Sequence, residues 1–182
     1  MTPYPTRLEI VRLGHPALRA KSRRVSRSEL MAPETQTFLT QLADLCLASN
    51  GAGIAAPQVG VNVRAIVVHV DPKNPRYPGK KAFPLTVLVN PVVKWRSGEK
   101  NEDWEGDLSA GIRAKVPRAS ACIVSGLTPS GKSVVLELNY DFHARVFQHE
   151  IDHLDGKFFV DRVRDKTTIT ETAEWEKFWS SS

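Results

Sequence analysis

The sequence predicts an α+β domain with antiparallel sheet, on three observations. A helical apolar pattern opens at about Pro33, four β-branched runs lie between residues 64 and 138, and a second helical pattern follows Tyr140. Helix, strands and helix in that order leave no strand–helix–strand alternation, which disfavours a parallel sheet.

Each element has a local cause. Leu8 to Leu13 is a short apolar segment, broken by Gly14-His15-Pro16 before Leu18-Arg19. From about Pro33, Phe38, Leu42 and Leu45, with Leu39 and Cys46 beside them, keep helical spacing until Ser49-Asn50-Gly51 supplies a stop. Arg64 to Val70, Leu85 to Asn90, Ala119 to Ser125 and Ser133 to Leu138 read as strands, the last two joined by a turn over Thr128-Pro129-Ser130-Gly131-Lys132. Asp141 to Gly156 reads as a helix with Asp141 as N-cap and Gly156 as stop. In the tail, Thr168-Ile-Thr-Glu171 resembles a capping box ahead of Trp175, Phe178 and Trp179, which predicts a short terminal helix laying an aromatic face on the domain.

Composition excludes whole classes. The 182 residues are 41% hydrophobic, enough for one ordinary core, and no apolar run reaches the roughly 20 residues of a membrane helix. The first fifteen residues carry Pro3, Pro5, Arg7, Glu9 and Arg12 with no apolar stretch, so no secretory signal is expected and a cytoplasmic location is. Lys+Arg 25 against Asp+Glu 20 gives +5, spread over Lys21 to Arg24, Lys80 and Lys81, Lys94 to Lys100 and Arg113 to Arg118. That spread suits a solvated surface better than a nucleic-acid stripe. Cys46 and Cys122 sit in apolar segments without metal-ligand spacing and read as buried free thiols.

The strongest chemical signal is His149-Glu150-Ile151-Asp152-His153 on the second long helix. Imidazoles at i and i+4 share a face and can hold one divalent ion, while Glu150 stands beside the water such an ion activates. The ion lowers the water's pKa to about 7, and the carboxylate can take its proton and pass it to a leaving nitrogen, which is amide hydrolysis. Phe142 and Val146 precede His149 on the same face and place an apolar pocket beside the metal, which also needs a third protein ligand. Two small-residue loops stand out as well: Gly51-Ala-Gly-Ile-Ala-Ala-Pro-Gln58 and Glu105-Gly-Asp-Leu-Ser109. Neither has the context of a nucleotide-binding loop.

Taken together, these segments resemble the peptide deformylases, whose pattern is a GxGxAAxQ loop, an EGCxS loop and a QHExxH helix in that order. The resemblance runs from Leu13-Gly-His-Pro-Ala-Leu-Arg19 to Gly156-Lys-Phe-Phe-Val-Asp161. It implies antiparallel β-sheets packed around a central C-terminal helix that carries HExxH. It further implies a single metallohydrolase domain over residues 1–164, with 165–182 as a C-terminal tail. The activity implied is removal of the N-formyl group from the N-terminal methionine of nascent polypeptides, by metal-bound water with Glu150 as general base and acid.

Residue by residue, the resemblance makes His149 and His153 metal ligands, with Gln58 and the backbone N–H of Leu108 stabilising the oxyanion. Gly51 and Gly53 would let the substrate backbone lie along their loop, and Ala52, usually a larger aliphatic residue in the family, would widen the pocket mouth. Phe142 and Val146 would line the methionine pocket, and Glu105 and Arg113 would brace the loop or the substrate backbone. Arg145, one turn before His149, is expected to snorkel to solvent.

The third ligand departs from the pattern: Asp107 replaces the family's cysteine, and neither Cys46 nor Cys122 is placed to substitute. Two histidines and a carboxylate form a sound set for Zn2+ or Fe2+, so one such ion is the expected cofactor. The stretch after Ser109 is one residue shorter than the family's. The partners implied are an N-formylated peptide and a transient ribosome contact, with no membrane and no specific nucleic acid. Because the tail is not basic, the contact some members make through a basic C-terminal helix is not carried over. Two alternatives stay open: a related hydrolase of another N-acyl substrate, and a non-catalytic peptide-binding homologue.

Overall fold

The computed structural model describes residues 4–74 and 76–180. A four-residue helix α1 (Arg27–Leu30) precedes α2 (Pro33–Ala48), which ends where Asn50 turns into the left-handed region at φ 51°. Strands β1 (Gly53–Ala55), β2 (Ala65–Val70), β3 (Phe83–Arg96), β4 (Lys100–Asp107), β5 (Ala110–Ala119), β6 (Cys122–Leu127) and β7 (Ser133–Leu138) lead to α3 (Asp141–Leu154). A two-residue strand β8 (Thr170–Glu171) and α4 (Thr172–Phe178) close the described chain.

The strands form two antiparallel sheets, one in the order β1-β2-β3-β6-β7 and one in the order β4-β5-β8. Alternation along β2 sends successive side chains to opposite faces. Ala65 and Val67 pack under α2 with Phe38, Leu42 and Cys46, whereas Ile66 and Val68 pack under α3 with Ala144, Phe147 and Ile151. Helix α3 is thus central, with every residue from His143 to Leu154 buried. Phe147 is fully enclosed, and truncating such a side chain to alanine costs about 3–5 kcal/mol. At the end of α3, Gly156 has φ +70°, and a Cβ there would stand 2.5 Å from the carbonyl oxygen of Arg19, so both the turn and the packing require glycine.

Several expectations are corrected. Strands β4 and β5 escape a hydrophobic reading because β4, Lys-Asn-Glu-Asp-Trp-Glu-Gly-Asp, is polar but for Trp104, and Arg113, Lys115 and Arg118 interrupt β5. The Gly51–Gln58 loop is largely ordered, as β1 followed by a 3-10 turn over Ala56–Val59. Tyr140 rather than Asp141 is the N-cap of α3; Asp141 begins the helix and its Oδ2 accepts from Asn101 Nδ2 at 2.9 Å. The Thr168 capping box does not form, since Glu171 precedes α4 and Thr168 ends a 3-10 turn. Of the expected aromatic face of α4, Trp175 and Trp179 lie against Trp104 at ring-centroid distances of 6.2 and 5.9 Å, whereas Phe178 is exposed. Both cysteines are buried and free. No helix among the described residues is long and apolar enough to cross a membrane.

Candidate metal centre

Three side chains converge where α3 faces the end of β4. Asp107 Oδ2 lies 3.1 Å from His149 Nε2 and 2.8 Å from His153 Nε2, all three residues being buried. Helical spacing brings the imidazoles together, and the turn joining β4 to β5 delivers the carboxylate. The other oxygen, Asp107 Oδ1, accepts from Gln58 Nε2 at 2.9 Å and from the backbone N–H of Ser109 at 2.7 Å. With Oδ1 satisfied, Oδ2 is turned toward the imidazoles.

The donor set fits a divalent cation. His153 Nε2, 2.8 Å from a carboxylate oxygen, nevertheless makes no hydrogen bond, because the angle is wrong for one. An imidazole nitrogen that approaches a carboxylate oxygen at contact distance without a hydrogen bond, beside His149 Nε2 at hydrogen-bond distance from the same oxygen, is oriented as a ligand around a common centre. The electrostatics agree. Burial works against the charge of Asp107, but His153 and His149 outweigh it and hold the carboxyl well below its ordinary range. Burial also opposes a charged His149, yet Asp107 and Glu105 raise its pKa well above the usual imidazole value. The pocket therefore favours positive charge at its centre.

Behind the ligands stands a charged layer that sequence reasoning missed in part. His149 Nδ1 lies 2.9 Å from Glu105 Oε2, which fixes the tautomer that leaves Nε2 as a ligand atom. Arg118 donates from Nε and Nη2 to the two oxygens of Glu105, each at 2.9 Å, and from Nη1 to Asp152. Arg162 grips Asp152 from outside at 2.5 and 2.6 Å. Burial opposes the charge of Glu105, but Arg118 and His149 keep it ionised. Arg145, expected in solvent, is buried and donates to Glu105 Oε1, Val116 O and Asn101 O, each at 2.7 Å. Glu105, which also lines the cleft, thus bonds His149, Arg118 and Arg145 at once. Arg113 and Arg118 are buried too, so the run that contains them is not the solvated surface its charge suggested. The one sequence signal for this layer was Asp152, placed between the two histidines.

Glu150 sits beside the ligands at 4% exposure, with Oε2 lacking a hydrogen-bond partner among the described residues. Burial pushes its pKa up to about 7, against the pull of both histidines. Gly53 makes room for it: a Cβ at Gly53 would stand 2.6 Å from Glu150 Oε1. A Cβ at Gly51 would stand 3.0 Å from the Leu108 side chain. The cleft in front spans about 580 Å³, part of it open to solvent, and brings together Ala52, Gly53, Leu108, Arg113, Phe142 and Val146, with Gly51, Gln58 and Glu150 also on its wall. It opens between β1 and β4, each the edge strand of its sheet.

Comparison with known proteins agrees with this geometry. A family model described as polypeptide deformylase matches residues 7–168. Peptide deformylase 1 of Nitrosomonas europaea is 40% identical over 157 residues, covering 86% of this chain and 87% of that protein. A class I type b peptide deformylase from Acinetobacter baumannii has a TM-score of 0.82 at 36% identity, covering 87% of this chain and 99% of that one. The Acinetobacter baumannii enzyme bound to Met-Ala-Ser gives 0.79 at 38% identity, covering 90% of this chain and all of that one. The chain belongs to the polypeptide deformylase family, metal-dependent hydrolases that remove the N-formyl group from the N-terminal methionine of nascent polypeptides.

Proposed function

We propose that this chain hydrolyses the formyl amide of formyl-methionyl peptides in the cleft between β1 and β4, with Asp107, His149 and His153 holding one Fe2+ or Zn2+ ion. The observation that carries the reading is the convergence of Asp107 Oδ2 and the two Nε2 atoms next to a buried carboxyl with an unpartnered oxygen. A bound ion supplies Lewis-acid chemistry, lowering the pKa of water to about 7 and polarising a carbonyl.

The protein's part is orientation and proton movement. Glu150, with its pKa near 7, takes the proton from the attacking water at Oε2 and returns it to the amine nitrogen as the C–N bond breaks. Gln58 Nε2 spends one N–H on Asp107 and has a second for the developing oxyanion, shared with the backbone N–H of Leu108. An extended peptide between two edge strands finds backbone partners on both sides, and Gly51, Ala52 and Gly53 permit its close approach. Phe142 and Val146 line the site for an apolar side chain, with Tyr77 against Phe142 at 5.3 Å. A nascent polypeptide as substrate supports a transient encounter at the ribosome, and with it a cytoplasmic setting.

Formate release from formyl-Met-Ala-Ser by iron-loaded and zinc-loaded protein tests the reading. Turnover well above a Glu150→Gln control is expected. No formate from protein with its metal bound would turn the assignment toward another N-acyl substrate.

A further inference from the structure

On the wall of the cleft stands a cation with no hydrogen-bonding or ion-pair partner among the described residues. Arg113 is 8% exposed, and among the described residues its guanidinium makes neither a hydrogen bond nor an ion pair; Nε is sealed from water with no acceptor. Its position is nonetheless fixed. On one side lies Gly106, its register partner across β4 and β5, where a Cβ would stand 3.3 Å from Arg113 Cγ and 3.4 Å from Cζ. On the other lies Trp175 of α4, with Arg113 Cζ 4.0 Å from its ring centroid. Trp175 in turn packs edge-on against Trp104, which lines the cleft. With both flat faces of the guanidinium covered, only its edge is left for a polar partner, and Arg113 lines the cleft.

Arg76 lines the same cleft, with a single long hydrogen bond to Ser49 O at 3.4 Å and no ion pair among the described residues. Burial pulls the Arg113 pKa down and the like charge of Arg76 adds to it, while Tyr77 and the more distant carboxylate of Glu176 pull the other way without forming a hydrogen bond or ion pair with it. The other cation on the wall, Arg145, is bonded to Glu105. A buried guanidinium without a partner is costly. Arg113, buried and clamped between a strand and an aromatic ring, with the half-buried Arg76 over the Tyr77 ring beside it, calls for an anion from outside the chain.

We propose that Arg113, with Arg76, forms a carboxylate-binding subsite that favours substrates carrying an acidic group on a residue that follows the formyl-methionine. The inference rests on the deformylase reading and adds a substrate preference to it. Two sources supply the same chemistry: an Asp or Glu side chain within a longer chain, and the free C-terminus of a short peptide. Trp175 acts through Arg113 as a positioning residue, which gives the segment after residue 168 a part in selectivity.

The test compares kcat/KM for formyl-Met-Ala-Ser amide with its free acid, with formyl-Met-Ala-Asp amide and formyl-Met-Asp-Ala amide, and with formyl-Met-Ala-Lys amide. A charge-assisted hydrogen bond at a partly screened site favours at least one acidic substrate about tenfold over the neutral amide, with the lysine peptide below it. The difference is expected in KM rather than kcat and shrinks as salt rises. Advantage in the free acid alone assigns the chain terminus as the source, advantage in an Asp amide assigns the side chain, and either supports the subsite. In Arg113→Gln the acid-to-amide ratio falls toward one, Arg113→Lys restores part of it, and Tm changes little, since the Trp175 ring contact is lost but no hydrogen bond or ion pair is. Inhibition by the products Met-Ala-Asp amide and Met-Ala-Lys amide gives the same comparison on the unaltered enzyme. Equal kcat/KM across charge types in the unaltered enzyme overturns the subsite while leaving the deformylase reading intact; no formate from any of the peptides overturns the reading itself.

Discussion

Glu150 Oε1 occupies space that a side chain at Gly53 would need, 2.6 Å from where the Cβ would stand. The glycine of β1 and the acid of α3 are therefore coupled by packing. Gly53→Ala is expected to push the carboxyl out of line and to lower kcat about 10²-fold or more, the scale of a lost general base. Metal content should stay at the unaltered level, because the ligands are not displaced. Steady-state kinetics beside metal analysis checks this, and an alanine variant with undiminished kcat would contradict it.

Arg118 bridges two buried carboxylates, Glu105 and Asp152. Arg118→Met takes from Glu105 its bidentate partner and from Asp152 one of two, and breaking a buried pair in this way costs about 3–5 kcal/mol. Urea unfolding should show a loss of unfolding free energy of that size, as a lower midpoint with an unchanged slope. A shift below about 1 kcal/mol would mean that Arg145 and Arg162 suffice alone.

The thiols should be silent in the native state. Burial pushes Cys46 up to about 12, with the Glu150 charge adding to the shift, and burial pushes Cys122 up to about 11. Because reactivity follows the thiolate, iodoacetamide at pH 8 should label neither in folded protein and both in urea, as mass spectrometry will read. The sign for stability follows: a thiol whose folded pKa lies above the unfolded value of about 8.5 favours the fold below that pH, and this contribution is lost as pH rises through 8.5 toward the folded values. Rapid native labelling would contradict the burial.

Asp107 is a harder donor than a thiolate, so the site should prefer harder ions than a cysteine-ligated one. Cobalt-loaded protein is expected to lack a sulfur-to-metal charge-transfer band, and Asp107→Cys to gain one while still binding metal. The appearance of such a band in unaltered protein would mean that Cys46 or Cys122 reaches the ion, against their burial in the hydrophobic core.

The main helices and the ligands were legible because their signals are local. α2 shows its spacing and its Asn50 stop, and α3 carries both histidines within one turn. What stayed hidden depends on distant partners. A strand such as β4, with Glu105 and Asp107 turned inward, breaks the polar-outside rule that strand reading uses, since their counter-charges are supplied by Arg118 and α3. Arg145 looked solvent-bound because its acceptor Glu105 lies forty residues upstream. Gly53 was legible as a permissive residue but not as the seat of Glu150, which is ninety-seven residues away.

The central claim is that Asp107, His149 and His153 hold the ion while Glu150 moves the proton. Protein purified anaerobically and loaded in parallel with ferrous iron and zinc, assayed for formate release from a formyl-Met tripeptide, tests it most directly when Glu150→Gln and Asp107→Ala are run beside it. Turnover should be lost in both, with close to one ion per chain kept in Glu150→Gln and metal depleted in Asp107→Ala. Full metal and full turnover in Asp107→Ala would contradict the claim.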